Sequence, residues 1–294
     1  MSVSIYEDVE YYFKSYRAYV SKVINPDDMQ QLWDLHWRAL VGQLPLSNLG
    51  EDEEVRMFTI GCGEGFRDSL IVREISKRHP KVYVRALEPA EDVMKLFRDK
   101  ADDITKSHPG VRFDWHSTTF QAYVDDQRNG ETGDEGSFHL VISGHSLYYI
   151  DDWACALDRM YDFVRPNGML AVTIVNGECT FGKLMCIYRQ TEGGKMHMLT
   201  SDDVSSYLTT KSAQIATYTR EYTFDAPEIF DQTSETGNLL LDFFTQRRNF
   251  RGTAPETLQD TVLDFLKKDM EREDGSCLFD GYESEVVAVK TVST

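Results

Sequence analysis

The sequence is poor in cysteine and in basic residues, and it contains no long apolar run. Its five cysteines form no C-x-x-C pair and no zinc-ligand pattern with the seven histidines. We therefore expect free thiols in a reducing compartment and no metal site. No apolar run approaches the roughly 20 residues of a membrane span, and the N-terminus lacks the basic start and apolar core of a signal peptide. These absences predict a soluble, cytoplasmic protein.

Positive charge is scarce as well. The chain carries 31 Lys and Arg residues against 49 Asp and Glu residues, a formal net charge of −18. This balance argues against nucleic acid or an anionic membrane surface as a partner and is compatible with a small cationic substrate. A length of 294 residues is enough for one large α/β domain or for two small domains.

Two nucleotide-binding fingerprints are also missing. A dinucleotide loop would read G-x-G-x-x-G, but Phe66 stands where the third glycine should fall, and no phosphate-binding G-K-[ST] is present. Instead, the apolar run 55–60 ends in Gly61, Gly63 and Gly65. Glycines let the backbone turn sharply and approach a ligand closely, and the helix that follows offers free N–H groups. The pattern predicts a strand, a tight turn and a helix start.

An acidic residue makes this loop more specific. Residues 83–88 read as the next strand, with Glu88 at its carboxyl end. A carboxylate roughly 20 residues after the first strand accepts ribose hydroxyls in dinucleotide folds, and the spacing here is slightly longer. A ligand with a ribose and no pyrophosphate fits best, and S-adenosylmethionine (SAM) is such a ligand. The alternative is a purely structural turn.

Residues 55–175 alternate between predicted strands and helices. Strands are predicted at 55–60, 82–88, 111–116, 138–143 and 169–175, with helices at 66–79, 90–102, 118–126 and 153–164 and a turn at 165–168. Such alternation predicts an α/β fold with a doubly wound parallel sheet. Ligands bind outside the carboxyl ends of its strands, so Gly61, Glu88 and the stretch after Ser143 should converge on one crevice.

The two ends of the chain read differently. Residues 5–45 are predicted to be helical, and their tyrosine stripe, which includes Tyr12 and Tyr16, suits either a helix packed on the core or a lid. Beyond Asn176 we expect helices at 180–190 and 201–211, helical pieces over 226–270, and strands at 215–224 and 283–291. We predict a single domain, divided into an N-terminal helical cover (1–50), a SAM-binding core (55–175), a substrate-binding insertion (176–282) and a closing strand (283–294).

The segment after the fourth strand carries the candidate chemistry. Gly144 and His145 follow the strand directly, and Tyr148 and Tyr149 come next. Methyl transfer needs a neutral nucleophile aligned with the breaking bond, and aromatic faces stabilise a sulfonium or ammonium cation. His145 is the candidate catalytic residue, since an imidazole can accept the proton of an amine or bond an imidazole substrate. Alternatively, the tyrosines pack the strand end and His145 is solvated.

Several segments carry a family resemblance. They are Thr59-Ile60-Gly61-Cys62-Gly63-Glu64-Gly65, Glu88-Pro89, Phe113-Asp114-Trp115-His116, Ser146-Leu147-Tyr148-Tyr149, Thr200-Ser201-Asp202-Asp203, Gly237-Asn238-Leu239-Leu240-Leu241-Asp242-Phe243-Phe244 and Leu278-Phe279-Asp280. Over almost its whole length the chain resembles the histamine N-methyltransferase family. The resemblance implies a Rossmann-like class I methyltransferase sheet, SAM as methyl donor, a monomer, and methylation of a ring nitrogen in a small imidazole amine.

The resemblance also implies which residues hold the cofactor. Gly61 and Glu88 match cofactor positions of the family, and Gly63 and Gly65 complete the same loop. Either Thr119 or Phe120 falls where the family has a serine near the adenine. Gly144 falls on an aliphatic cofactor position, and Val93 replaces a polar contact.

The implied substrate half departs from the family. Tyr12, Tyr16, Tyr148 and Tyr149 keep an aromatic pocket, Phe181 and Met185 replace tryptophans, and Asn25, His145 and Gly281 replace the glutamate, glutamine and asparagine that grip histamine. Losing an anion that holds a cationic amine costs roughly 1.5–3 kcal/mol, about 10-fold or more in affinity.

We therefore predict a SAM-dependent N-methyltransferase acting on histamine, a histidine dipeptide or another small biogenic amine. The alternatives are a small-molecule O-methyltransferase with His145 as general base and a catalytically inactive SAM-binding protein. The glycine spacing disfavours an NAD(P)-linked oxidoreductase.

Overall fold

The structure is a computed structural model. It describes residues 4–5, 8–23, 26–46, 49–50, 52–129, 134–192, 199–211, 213–272 and 275–291. The chain divides into two compact units. Unit 1 comprises Met1–Met29, Val175–Asp202 and Thr219–Ser284, and unit 2 comprises Gln30–Ile174, Asp203–Tyr218 and Glu285–Thr294.

The elements follow one another in a largely alternating order. They are α1 (Val9–Val20), α2 (Pro26–Gln43), β1 (Val55–Ile60), α3 (Phe66–Ser76), β2 (Val82–Leu87), α4 (Glu91–Ser107), β3 (Val111–His116), α5 (Phe120–Asn129), β4 (Phe138–Gly144), α6 (Trp153–Phe163), β5 (Val164–Val175), α7 (Thr180–Glu192), α8 (Ser201–Thr209), β6 (Ala213–Arg220), β7 (Thr223–Asp225), α9 (Glu235–Thr245), α10 (Phe250–Thr253), α11 (Glu256–Met270), β8 (Leu278–Asp280) and β9 (Glu283–Lys290). Short 3₁₀ turns lie at Leu147–Tyr149 and Pro227–Phe230.

The main sheet has seven strands in the order β3-β2-β1-β4-β5-β9-β6. Strand β1 pairs in parallel with both β2 and β4, and the pairs β2–β3 and β4–β5 are parallel as well. The strand order therefore reverses between β1 and β4, and such a switch point opens a ligand crevice at the carboxyl ends of the strands. The α/β doubly wound prediction is confirmed.

Successive residues of β1 explain why helices cover both faces of this sheet. Side chains alternate along a strand, so Met57 and Phe58 point to opposite faces. Met57 belongs to a buried cluster with residues of α2 and α3, including Trp37 and Ile71. The ring of Phe58 packs on the other face against Phe163, with ring centroids 5.6 Å apart. Burial on both faces accounts for the nearly continuous apolar strands read from the sequence.

Unit 1 has its own aromatic core. Strands β7 and β8 form an antiparallel pair, and they place Phe224 and Phe279 in a stack with a centroid distance of 4.6 Å. Phe244 of α9 stacks on Phe279 at 4.2 Å. Helix α1 packs on α9, and α7 packs on both α9 and α11. Stacked rings of this size bury large apolar areas, which stabilises a unit with so little sheet.

Two local predictions were wrong in detail, and one strand was not predicted. The turn predicted at 165–168 is an irregularity inside β5, where the register with β4 shifts between Phe138 and Leu140 and Asn167 adopts a left-handed φ of 63°. The single strand predicted at 215–224 is two strands, β6 and β7. Strand β8 lay in a segment read only as part of the family resemblance, because three residues carry too short a pattern to be recognised as a strand.

The N-terminal cover predicted over 1–50 is divided between the two units, whereas the prediction of a single domain stays a prediction. Helix α2 contributes Trp37, Leu40 and Val41 to the buried cluster of unit 2, and Leu44, just after its end, joins them. Apolar residues three and four apart face one side of a helix, so this part of α2 is built into the sheet core. None of the helices within the described ranges is long and apolar enough to cross a membrane.

Candidate active site

The turn after β1 is shaped by its glycines. Gly61, Gly63 and Gly65 have φ angles of 66°, 54° and 64°, a left-handed region that costs other residues roughly 1–2 kcal/mol. A Cβ on Gly65 would lie 1.9 Å from the ring of Phe97, whereas a Cβ on Gly63 would meet nothing within 4 Å. Gly65 therefore allows close packing on α4, and the position of a side chain at Gly63 is open space.

The carboxylate of Glu88 is fixed against this turn. Its Oε2 accepts a hydrogen bond from the Gly63 N–H, and its Oε1 accepts one from the Ala90 N–H, both at 3.0 Å. Burial raises the pKa of the Glu88 carboxyl, and the two backbone bonds act in the opposite direction. Each carboxylate oxygen can accept more than one hydrogen bond, so Glu88 can hold the loop and still accept a ribose hydroxyl.

The end of β4 lies against the same loop. The hydroxyl of Ser146 donates to the carbonyl of Ile60 at 2.8 Å and lies 2.8 Å from the Ser143 hydroxyl. A Cβ on Gly61 would lie 2.4 Å from the Cβ of Ser146. The predicted convergence of Gly61, Glu88 and the stretch after β4 is therefore present in unit 2. Ser143 and Ser146 join the two loops, and nothing in the sequence pattern singled out their hydroxyls for this role.

His145 is held in an unusual backbone conformation. Its φ is 53°, and its backbone N–H donates to the Thr173 carbonyl at 2.9 Å. A non-glycine residue with positive φ costs energy and is enriched at functional sites. The imidazole stacks on Tyr148 with a centroid distance of 6.2 Å, and its Nδ1 lies 3.5 Å from the Tyr148 hydroxyl. Tyr149 packs edge-on to Tyr148 and is 46% exposed.

The structure separates the two residues considered for the adenine contact. Thr119 caps α5, since its Oγ1 accepts a hydrogen bond from the Ala122 N–H at 3.2 Å. Phe120 is 6% exposed and packs against Phe163. Phe120 therefore belongs to the core beneath α5 and α6, whereas Thr119 is exposed. The adenine contact of either residue stays a prediction.

Three of the predicted acceptor residues meet in unit 1. The rings of Tyr12, Tyr16 and Phe181 all pack on Phe243, with centroid distances of 6.2, 6.0 and 6.2 Å. Tyr16 is 40% exposed, so this cluster has an open face. Phe243 lies in a segment quoted for the family resemblance, but no sequence signal identified it as the centre of the cluster.

Two other predicted acceptor residues are buried. Met185 of α7 is 4% exposed. Gly281 donates its N–H to the Tyr222 carbonyl at 3.0 Å, and a Cβ there would lie 2.3 Å from the Tyr222 ring. Gly281 is therefore required for packing against Tyr222. Asn25 lies outside the described residues.

A separate depression of about 540 Å³ contains none of the predicted residues. It lies in unit 1 above the buried carboxylate of Asp242, which accepts hydrogen bonds from the Tyr11 hydroxyl and from the Asn249 and Phe250 N–H groups at 2.6 to 2.8 Å. These internal bonds satisfy the carboxylate. Its role is to fix α1, α9 and α10 to one another.

No site for a metal was found in the part of the chain that the structure describes, where no group of three or more His, Cys, Asp or Glu side chains could hold an ion. The five cysteines are free thiols. Burial raises the pKa of Cys62, which lies next to the glycine turn. A buried thiol with a raised pKa is a poor nucleophile, so Cys62 contributes packing here.

Comparison with known proteins agrees with the resemblance. The chain is 24% identical to histamine N-methyltransferase of Cavia porcellus over 286 residues, covering 94% of both chains, and 26% identical to that of Danio rerio over 288 residues with the same coverage. It is 25% identical to that of Rattus norvegicus over 298 residues, covering 98% of both chains. No protein-family model matches the chain.

Solved structures share the fold. A putative methyltransferase from Bacillus halodurans C-125 superposes with a TM-score of 0.51 at 15% identity, covering 87% of this chain and 99% of that one. The YcgJ protein of Bacillus subtilis gives a TM-score of 0.50 at 10% identity, covering 88% and 99%. The sheet order β3-β2-β1-β4-β5 with added strands is typical of class I methyltransferases, so the predicted fold class is confirmed.

Proposed function

We propose that this relative of the histamine N-methyltransferases is a SAM-dependent N-methyltransferase that methylates a nitrogen of a small amine. Histamine and histamine-like compounds are the acceptors we favour. The observation that carries the proposal is the carboxylate of Glu88, held between the Gly63 and Ala90 N–H groups beside the glycine turn, at the carboxyl end of β2. An acid in that position serves a ribose-containing ligand.

The residues of the loop fit SAM as the cofactor. The space beside Gly63 is open, so a ligand can approach the backbone of the loop closely. Glu88 offers acceptor oxygens to the ribose hydroxyls. The cofactor supplies a sulfonium-bound methyl group for an in-line displacement. The chain supplies the binding groups that hold the cofactor at the carboxyl ends of β1 and β2.

His145 is the group we propose for proton transfer. The backbone N–H of His145 donates to the Thr173 carbonyl and fixes the main chain at the end of β4, and the imidazole stacks on Tyr148. An amine must lose a proton to act as a neutral nucleophile, and a positioned imidazole acts as a base near neutral pH. The rings of Tyr12, Tyr16 and Phe181 are proposed acceptor contacts, because aromatic faces attract ammonium cations.

The test is transfer of labelled methyl from SAM to a panel of histamine, carnosine, histidine and several aryl and alkyl amines. We expect transfer to at least one amine, and transfer only to hydroxyl acceptors would replace the proposal with an O-methyltransferase. Binding of SAM without transfer to any acceptor would indicate an inactive binding protein.

A variant tests the base. His145→Asn tolerates the left-handed backbone of this position, and we expect it to lower kcat by roughly 10²-fold or more. His108→Ala, in the turn before β3, is the matched control and should leave kcat unchanged. Equal kcat values for wild type and His145→Asn across the pH range would remove His145 from catalysis.

The remaining parts of the proposal concern partners. We propose a monomeric, cytoplasmic enzyme whose partners are small-molecule amines rather than nucleic acids or membranes. A net charge of −18 supports the exclusion of nucleic acids and anionic membranes, because it disfavours polyanions by electrostatic repulsion. Sedimentation velocity at micromolar concentration tests the monomer, and a stable dimer would contradict it.

A further inference from the structure

An arginine next to the glycine turn has no part in the proposed proton transfer or in the ribose contact. Arg67 lies in the first turn of α3, and its Nη1 donates to the Thr173 hydroxyl at 2.8 Å. The guanidinium carbon lies 4.4 Å from the centroid of the Trp33 ring. A guanidinium stacked on an indole and bonded to a hydroxyl is held in one orientation. Arg67 is therefore a preorganised cation in unit 2.

Within the described ranges the guanidinium of Arg67 forms no ion pair. Burial raises the pKa of the neighbouring Asp68 carboxyl, and the charge of Arg67 acts in the opposite direction. Among the described residues, no carboxylate lies within 4.0 Å of the guanidinium, and the buried Nε–H has no hydrogen-bond acceptor. The nearest acid in the hydrogen-bond chain is Glu285, whose Oε2 accepts from the Thr173 hydroxyl at 2.8 Å. The Thr173 hydroxyl thus accepts a hydrogen bond from Arg67 and donates one to Glu285. It therefore lies between the guanidinium and the carboxylate, which do not bond to each other directly. Arg67 is partly buried, and a partly buried cation that forms no ion pair with the described residues favours an anionic ligand.

The guanidinium also reaches the carboxyl end of β4. A Cβ on Gly144 would lie 2.1 Å from Nη1 and 3.2 Å from Cζ of Arg67. Any side chain at position 144 would therefore displace Arg67. Gly144 stands where the family resemblance places an aliphatic residue, and here its missing side chain is the space that the guanidinium fills. The Arg67–Gly144 pair is thus a built feature of this crevice.

The strand order locates this cation relative to Glu88. Glu88 follows β2, the glycine turn follows β1, and Gly144 ends β4, and these strands are neighbours in that order. Adjacent strands lie about 4.8 Å apart, so the two charged residues flank the glycine turn at a strand separation of roughly 10 Å. A SAM molecule has a ribose near its centre and a carboxylate at the end of its amino-acid chain. With the ribose at Glu88, a cofactor extended across the turn brings its carboxylate to the end of β4.

We propose that Arg67 binds the α-carboxylate of the methionyl part of SAM, as an additional cofactor-binding residue that Gly144 makes possible. This inference rests on the proposed function, because it assigns one end of the same ligand. A charge-assisted pair between guanidinium and carboxylate is the strong type of hydrogen bond. The interaction adds affinity for ligands that carry the amino-acid group and none for the nucleoside alone.

The experiment compares two ligands by isothermal titration calorimetry. S-adenosylhomocysteine carries the carboxylate, and 5′-deoxy-5′-methylthioadenosine has the same nucleoside and thioether without the amino-acid group. For Arg67→Met we expect S-adenosylhomocysteine to bind roughly 10-fold or more weakly, with binding of methylthioadenosine unchanged within about twofold. Arg67→Lys keeps the charge and should lose less.

Two further variants sharpen the result. Gly144→Ala should reproduce the selective loss, because its Cβ displaces the guanidinium. Arg112→Met, which removes an exposed guanidinium paired with Glu54 at the start of β3, is the control and should change neither ligand. Thermal unfolding of each variant verifies that it is folded.

Three outcomes would overturn the assignment of Arg67 to the carboxylate of SAM. Equal weakening of both ligands would make Arg67 a structural residue, and unchanged binding of both would remove it from the site. Unchanged binding of S-adenosylhomocysteine with a raised KM for an acidic acceptor would assign the guanidinium to the acceptor. Failure of the wild-type protein to bind either ligand would instead refute the proposed function, which separates the two failures.

Discussion

The carboxylate of Glu88 offers the sharpest test of the cofactor site. Glu88→Gln keeps the size of the side chain but replaces one acceptor oxygen by an NH₂ donor. In the structure both oxygens accept hydrogen bonds from backbone N–H groups at 3.0 Å. In the variant the new NH₂ group therefore faces one of these N–H donors, and that hydrogen bond is lost. The ribose also loses a charged acceptor.

The magnitude follows from these contacts. A hydrogen bond to a charged group contributes about 1.5–3 kcal/mol, so the loss for the ribose corresponds to roughly 10- to 150-fold in Kd. We expect Glu88→Gln to weaken S-adenosylhomocysteine within that range. Methylthioadenosine should weaken by the same factor, because it carries the same ribose. This equal loss is the reverse of the selective loss expected for Arg67→Met.

The pH dependence gives a second signature of the same carboxylate. Burial raises the pKa of Glu88 above the ordinary 4.5, and the ionised form is the better hydroxyl acceptor. As the pH falls, affinity should therefore begin to decline above the pH at which an exposed glutamate is protonated. Glu88→Gln has no proton to gain there, so its affinity should be flat over the same range.

Calorimetry at a series of pH values measures both effects. Glu91→Gln, which alters a half-exposed carboxylate in the first turn of α4, is the matched control and should bind like the wild type. A Kd for Glu88→Gln within twofold of the wild-type value, or an unchanged pH profile, would refute the role assigned to Glu88.

Three further predictions concern stability. Gly65→Ala should lower the free energy of unfolding by roughly 1–3 kcal/mol or more through its clash with Phe97, whereas Gly63→Ala has open space and should lose only the backbone penalty; equal losses in urea unfolding would contradict this. Asp242→Asn leaves a buried donor unpaired and should cost roughly 1–3 kcal/mol, compared with the exposed Asp260→Asn, which should cost nothing measurable. Burial, followed by the charge of Arg165, lowers the pKa of His139 to about 4. On acidification the imidazole therefore binds a proton near pH 6.5 in the unfolded chain, but only near pH 4 in the folded chain. Stability contributed by His139 is therefore complete above pH 6.5 and is lost on acidification toward pH 4, by about 3 kcal/mol, and an unaltered slope in His139→Gln would show that another group is responsible.

Much of unit 2 could be predicted from the sequence because its signals are local. The glycine triplet after an apolar run predicted the turn at Gly61, and the acid at the end of the next strand predicted Glu88. The period of the apolar residues predicted α3, α4 and α6 and the parallel strands between them. A strand buried on both faces carries its identity in its own composition, so β4 could be read without knowing its neighbours.

Other features depended on contacts between distant segments. The packing of Phe120 against Phe163, the convergence of Tyr12, Tyr16 and Phe181 on Phe243, and the clasp of Ser146 on Ile60 join residues far apart in the chain. Helices α1 and α2 are neighbours in the chain, but α1 packs on α9 in unit 1 and most of α2 packs on the sheet core of unit 2. No period or spacing encodes such pairings, because they arise only when the elements pack.

The sequence by itself determined the class of fold and the position of the cofactor loop, since glycine conformations and strand composition act locally. The tertiary structure decided which side chains meet at the carboxyl ends of the strands. From the sequence, Arg67 is an ordinary residue of a predicted helix, and Gly144 lacks the aliphatic side chain that the family resemblance places there. Only packing brings the guanidinium into the space that Gly144 leaves, because that contact depends on how α3 lies against β4.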